Sequence, residues 1–202
     1  MFTSKWRTVL KITLPVALII LALPAAAFDI VTDIDASNVS KSRTTPLALY
    51  LSPKAAHQAL TGNPEILFVD VRDPIEIGFV GHPAGMDKII PLAIVTHEFD
   101  AKRGGYKMIT NPDLVAEMDA LLKREGLTKS DPVFVSCRSG SRSAAAARQL
   151  IAAGYSNVWN LVEGFEGDKN KDGARAVNGW RNAGLPWSYK IPVNAAWTPT
   201  AN

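Results

Sequence analysis

Three observations predict an α/β fold built around a mainly parallel sheet. Short apolar runs, "EILFVDVRD", "DPVFVSC" and "NVWNLV", lack the alternation of a half-solvated strand and read as strands buried on both faces. Stretches with helical spacing and helix start and stop residues separate them. The chain's single cysteine, Cys137, closes one of the runs just before an alanine-rich helix. In such folds ligands sit beyond the carboxyl ends of the strands, so this is where chemistry is expected.

Residues 1–27 begin with Lys5, Arg7 and Lys11, continue through an apolar stretch from Ile12 to Pro24, and end on small residues up to Ala27. That pattern predicts a secretory signal peptide cleaved after Ala27. The apolar stretch contains Pro15 and falls short of the roughly 20 residues a spanning helix needs, so no stable membrane anchor is expected. The chain is expected to be exported, and periplasmic if bacterial. The leader's three basic residues account for the whole formal net charge of +3. Its loss leaves no argument for a nucleic-acid partner. A lone cysteine forms no internal disulfide, and an exported chain that keeps one suggests either a working thiol or a buried inert one.

Residues 28–44 are polar, lack periodicity and read as an N-terminal arm. In "SPKAAHQALTG", Ser52 caps a short helix, Pro53 occupies its first turn and Gly62 stops it. "EILFVDVRD" is the first buried strand. In "NPDLVAEMDALLKREG", Asn111 is expected to cap, Pro112 to start and Gly126 to stop a helix, with Leu114, Val115, Met118, Leu121 and Leu122 on one face. "DPVFVSC", the helix "SRSAAAARQLIAAG" and the strand "NVWNLV" follow. Residues 190–202 read as an irregular tail.

"CRSGSR" is thus a strand-to-helix loop whose backbone N–H groups converge on one point, with Gly140 at a tight bend. Amide donors, a positive helix end, Arg138 and Arg142 all favour thiolate over thiol, and the thiolate is the nucleophile. The same surroundings accept an anion. His57, His82 and His97 lack metal-ligand spacing, so no metal site is expected from them. Trp159, Trp180 and Trp187 read as packing residues.

With these residues placed, the sequence resembles the rhodanese family of sulfurtransferases. That family's six-residue active loop, Cys-Arg-x-Gly-x-Thr or Arg, is matched by residues 137–142. Asp70, Arg72, Glu76, Gly81-His82 and Gly85 resemble an upstream signature, with a gap after Glu76 one residue longer than usual. "NLVEGFEG" is similar to Asn-Leu-x-Gly-Gly, with Glu163 at a common glycine position, and "GWRNAGLP" resembles the family's ending. The resemblance implies a three-layer domain over residues 45–189 with a central sheet flanked by helices. It implies Cys137 as the catalytic residue, a donor site formed by Arg138, Ser139, Gly140, Ser141, Arg142 and Ser143, and structural roles for Asp70, Arg72 and His82. It implies no cofactor, since the cysteine carries the transferred atom. Partners would be a small anionic sulfur donor such as thiosulfate and a thiol or protein acceptor. The competing reading is a non-catalytic module of the same fold that docks a periplasmic partner. Phosphate-handling relatives carry five residues between cysteine and arginine; four stand here, which disfavours phosphatase activity.

Residues 166–178 are expected as an insertion. "DKNKDG" opens like an EF-hand, but Gly179 stands where the bidentate Glu belongs, so a solvated turn is preferred to calcium. The whole segment from Phe165 to Asn178 is expected to form a surface flap.

Overall fold

The computed structural model describes residues 30–199. The expected leader and the last three residues lie outside that range. Among the described residues the order is β1 (Tyr50–Leu51), α1 (Pro53–Gly62), β2 (Leu67–Asp70), α2 (Pro74–Val80), β3 (His82–Pro83), β4 (Lys88–Ile89), β5 (Ala93–Asp100), β6 (Gly105–Thr110), α3 (Leu114–Glu125), β7 (Val133–Ser136), α4 (Ser141–Ala152), β8 (Val158–Leu161) and β9 (Trp187–Ser188). Strands β1, β8, β7, β2 and β4 pair in that spatial order, every pair parallel. The three apolar runs of the sequence are β2, β7 and β8, the middle of this sheet.

Their period of two builds the layers. Leu67, Val69, Val133, Val135 and Val158 face one side, where α3 contributes Leu114, Met118, Leu121 and Leu122 and α4 contributes Ala146, Ala147 and Leu150. Phe68, Phe134 and Trp159 face the other, against Ala56 and Ala59 of α1, Ile77 of α2 and the buried Trp180. Two apolar layers around one sheet give the α/β architecture the sequence predicts.

Local chemistry sets the helix ends. Ser52 Oγ accepts the Ala55 N–H and Pro53 opens α1, as expected. Helix α3 starts later than expected, at Leu114 with Asp113 as its N-cap residue. Asn111 is buried and turns back instead: its Oδ1 accepts the Asp113 N–H at 3.0 Å and its Nδ2 donates to the Pro91 carbonyl at 3.0 Å. An Asx-type turn has thus replaced the cap expected there. Gly126, at φ +72°, ends the helix in the left-handed conformation.

Helix α2 and the antiparallel β5–β6 hairpin were not read from the sequence. The hairpin leaves Val95, Phe99, Tyr106 and Ile109 exposed. The arm is tied down by Thr32 Oγ1, which donates to the Tyr50 carbonyl at 2.6 Å, and by an Arg43–Asp168 ion pair. The tail covers the β4 edge, where the Ile89 N–H donates to the Ala195 carbonyl at 2.9 Å. No helix among the described residues is long and apolar enough to cross a membrane.

Candidate active site

Residues 137–143 run from the end of β7 into the first turn of α4 and wrap around the Cys137 sulfur. The Gly140 N–H donates to Sγ at 3.1 Å and Ser143 Oγ donates to it at 3.4 Å. Gly140 holds φ +89°, and a methyl group there would overlap the Val162 carbonyl. Only glycine permits this bend, and the bend is what aims the amide at the sulfur. Cys137 is 1% exposed, so charge developing on the sulfur meets protein donors rather than bulk water. Ser139 and Ser141 are half-buried on the loop, and Ser143 Oγ also reaches the Gly140 carbonyl at 3.1 Å.

The loop's outward carbonyls are held by the segment after β8. Phe165 N–H donates to the Cys137 carbonyl at 2.8 Å, and the Glu166 and Gly167 N–H groups donate to the Arg138 carbonyl at 2.9 and 3.1 Å. Gly164, at φ +63°, presses its α-carbon against the same backbone: a Cβ there would lie 2.7 Å from the Ser139 nitrogen. Asn160 Nδ2, from β8, adds a contact to the Gly140 carbonyl at 3.3 Å.

The charges are arranged in pairs. Arg142 meets Glu76 of α2 with both Nη atoms, at 2.7 and 2.8 Å. Burial works against the Glu76 charge, but the Arg142 fork, with Arg72 and Arg138 behind it, holds that carboxyl below its ordinary range. Burial likewise opposes the Arg142 cation, and Glu76 outweighs it, so Arg142 is held more firmly protonated than usual. Arg138 pairs with the buried Glu166, whose other oxygen accepts from Arg181 at 2.8 Å. The two arginines that sequence reasoning assigned to the donor are therefore both engaged by carboxylates.

Asp70 and Arg72 are fully buried and lie beneath the site. Arg72 Nε and Nη2 reach Asp70 at 2.9 and 2.6 Å, and Nη2 also donates to the Gly81 carbonyl at 2.9 Å. The pair ties β2 to the end of α2, the helix that presents Glu76. His82 faces the Pro83 and Lys190 carbonyls at 2.8 and 3.2 Å and so fastens the tail to β3. All three are part of the frame and make no hydrogen bond to the sulfur.

The insertion differs from the expected plain flap. Phe165 and Glu166 are buried, because the ring lies 4.8 Å from the Arg72 guanidinium and the carboxylate bridges two arginines. Residues 169–174 are exposed. No group of three or more potential metal ligands comes together among the described residues. Sequence reasoning missed Glu166, Arg175 and Arg181. Glu76 carried a signal, since it stands in the upstream motif; Glu166 and Arg181 stand inside the "NLVEGFEG" and "GWRNAGLP" blocks at positions that define no motif residue, and Arg175 lies in the insertion between them.

A family model for the rhodanese-like domain matches residues 52–171. Thiosulfate sulfurtransferase 16, chloroplastic, of Arabidopsis thaliana is 28% identical over 119 residues, which is 59% of this chain and 77% of that protein. An uncharacterized protein of Rickettsia conorii is 42% identical over 57 residues, 28% of this chain and 42% of that protein. The chain thus spans about two fifths of the length of the Rickettsia relatives it matches. The crystal structure of Rv0390 from M. tuberculosis superimposes with a TM-score of 0.53 at 32% identity, covering 70% of this chain and 97% of that one.

Proposed function

Because the chain belongs to the rhodanese-like domain family, we propose that it is a sulfurtransferase carrying sulfane sulfur as a persulfide on Cys137. One observation carries the reading: the sole thiol stands directly after β7 and receives an N–H from Gly140, at a position only glycine can occupy. A scaffold has no physical need for that arrangement.

In the first half-reaction the Cys137 thiolate attacks the outer sulfur of a donor such as thiosulfate. The new S–S bond forms on Sγ while the donor's own S–S bond breaks, and sulfite leaves with the bonding electron pair. The Gly140 N–H and the Ser143 hydroxyl meet the sulfur and stabilise its charge. In the second half-reaction a nucleophilic acceptor takes the terminal sulfur and the thiolate is regenerated. No step calls for a cofactor. Similarity to a thiosulfate sulfurtransferase supports the donor class.

The competing docking-module reading draws support from the exposed Ile75 and Phe79, which flank Glu76 on α2. Intact mass after incubation with thiosulfate separates the two. One added sulfur, absent from a Cys137→Ser chain, is expected for the enzyme; an unmodified native chain would select the module.

A further inference from the structure

Arg175 stands out among the charged groups near the sulfur because no carboxylate holds it. Asp70 holds Arg72, Glu76 holds Arg142, and Glu166 holds both Arg138 and Arg181. Among the described residues Arg175 forms no ion pair, and its Nε is a buried donor without a hydrogen-bond partner. Such an orphan is costly unless something meets it.

Its position is built rather than loose. Arg175 Nη1 donates to the Gly167 carbonyl, and the Gly167 N–H in turn donates to the Arg138 carbonyl at 3.1 Å, so one residue links the guanidinium to the active loop. Lys169 and Arg175 form an isolated antiparallel bridge, and Asn182 Nδ2 donates to the Arg175 and Asn178 carbonyls. The two ends of the excursion are pressed together at Gly167 and Gly179, where a Cβ on either would overlap the other strand's backbone. Burial and the neighbouring Arg138 charge weaken the Arg175 cation, while Cys137, Glu166 and Asp168 favour it. An arriving anion would relieve that repulsion. The residue lies just past the 52–171 match, in the segment the sequence marks as an insertion.

We propose that Arg175 binds the terminal anionic group of the sulfur donor, holding it while Cys137 attacks the outer sulfur. The proposal rests on the sulfur-transfer reading and extends it: the insertion supplies the anion clamp that Arg138 and Arg142, each paired with a carboxylate, do not. In the displacement the sulfonate oxygens of thiosulfate lie against Arg175, and the same contact receives sulfite as it departs.

The test separates binding from chemistry. Thiosulfate is titrated into Cys137→Ser, which binds the donor without consuming it, and into Cys137→Ser with Arg175→Gln. Loss of a charge-assisted contact predicts binding weaker by about tenfold or more. In the otherwise native chain, Arg175→Gln should slow persulfide formation from thiosulfate by a similar factor, with Arg175→Lys recovering part of the rate. Labelling of Cys137 by a neutral thiosulfonate ester should change by less than about twofold, given that only the charged donor uses the clamp. Unchanged thiosulfate binding in the double variant, or equal losses with charged and neutral reagents, would overturn the proposal. Arg175-dependent binding with no persulfide on the native chain would keep the anion site and remove the sulfur-transfer reading.

Discussion

Gly164→Ala tests how the segment after β8 shapes the active loop. Gly164 sits at φ +63°, where an L-residue is strained by roughly 1 kcal/mol or more. Its new Cβ would lie 2.5 Å from the Cys137 carbonyl oxygen and 2.7 Å from the Ser139 nitrogen, both backbone atoms that cannot rotate aside. Relief requires the two segments to part, which weakens the Phe165-to-Cys137 and Glu166-to-Arg138 hydrogen bonds at 2.8 and 2.9 Å. At about 1 kcal/mol each, the total comes to about 3 kcal/mol. For a chain of this size that lowers Tm by roughly 6–12 °C. The loop also moves, and a shift of about 1 Å at a reacting group costs on the order of 100-fold in rate. Thermal unfolding and the thiosulfate-dependent persulfide rate measure the two effects. Gly173→Ala is the control, since Gly173 has a similar φ of +83° but open space around it; it should lose about 1 kcal/mol from strain alone and keep its rate. A Gly164→Ala chain with near-native Tm and rate would refute the reasoning.

Three further outcomes are expected. Glu76→Gln should cost about 2 kcal/mol, because it leaves the partly buried Arg142 without its anionic partner. The native Glu76 carboxyl is held below its ordinary range, so its contribution is present above its unfolded pKa of about 4.3 and is lost as pH falls through the lower folded value. Acid unfolding should therefore be shallower in the variant, and an unchanged acid limb would count against the pair. Glu166→Gln should free Arg138 and Arg181, tightening thiosulfate binding and steepening its salt dependence; weaker binding with an intact fold would contradict the pairing. Export predicts that the mature chain begins at Phe28, which N-terminal mass analysis of protein recovered from outside the cytoplasm would show or refute.

The three central strands, three of the four helices and the loop around Cys137 were legible because their signals are local. Val133, Phe134 and Val135 form a buried strand in any context that covers both faces, and Ser52 and Gly126 act on their own helix ends. The hairpin of β5 and β6 escaped notice because its apolar residues face solvent and define no buried face. Asn111 misled the reading of α3: its side chain is a good cap in isolation, but Pro91 competes for it across a fold the sequence does not display.

What the sequence determined by itself was the place of the lone thiol, its glycine-bent loop and the sheet that ends there, since these depend on residues close together in the chain. What the tertiary structure decided was the charge state of the pocket wall. Arg138 and Arg142 look free when read along the loop, yet Glu166 lies 28 positions from the first and Glu76 lies 66 from the second. Glu166 meets the loop, and Arg175 is linked to it through Gly167, because Gly164, Gly167 and Gly179 let backbones approach more closely than side chains allow. Electrostatics falls off with distance through space and not along the sequence, so which arginine remains available to an anion was settled by packing.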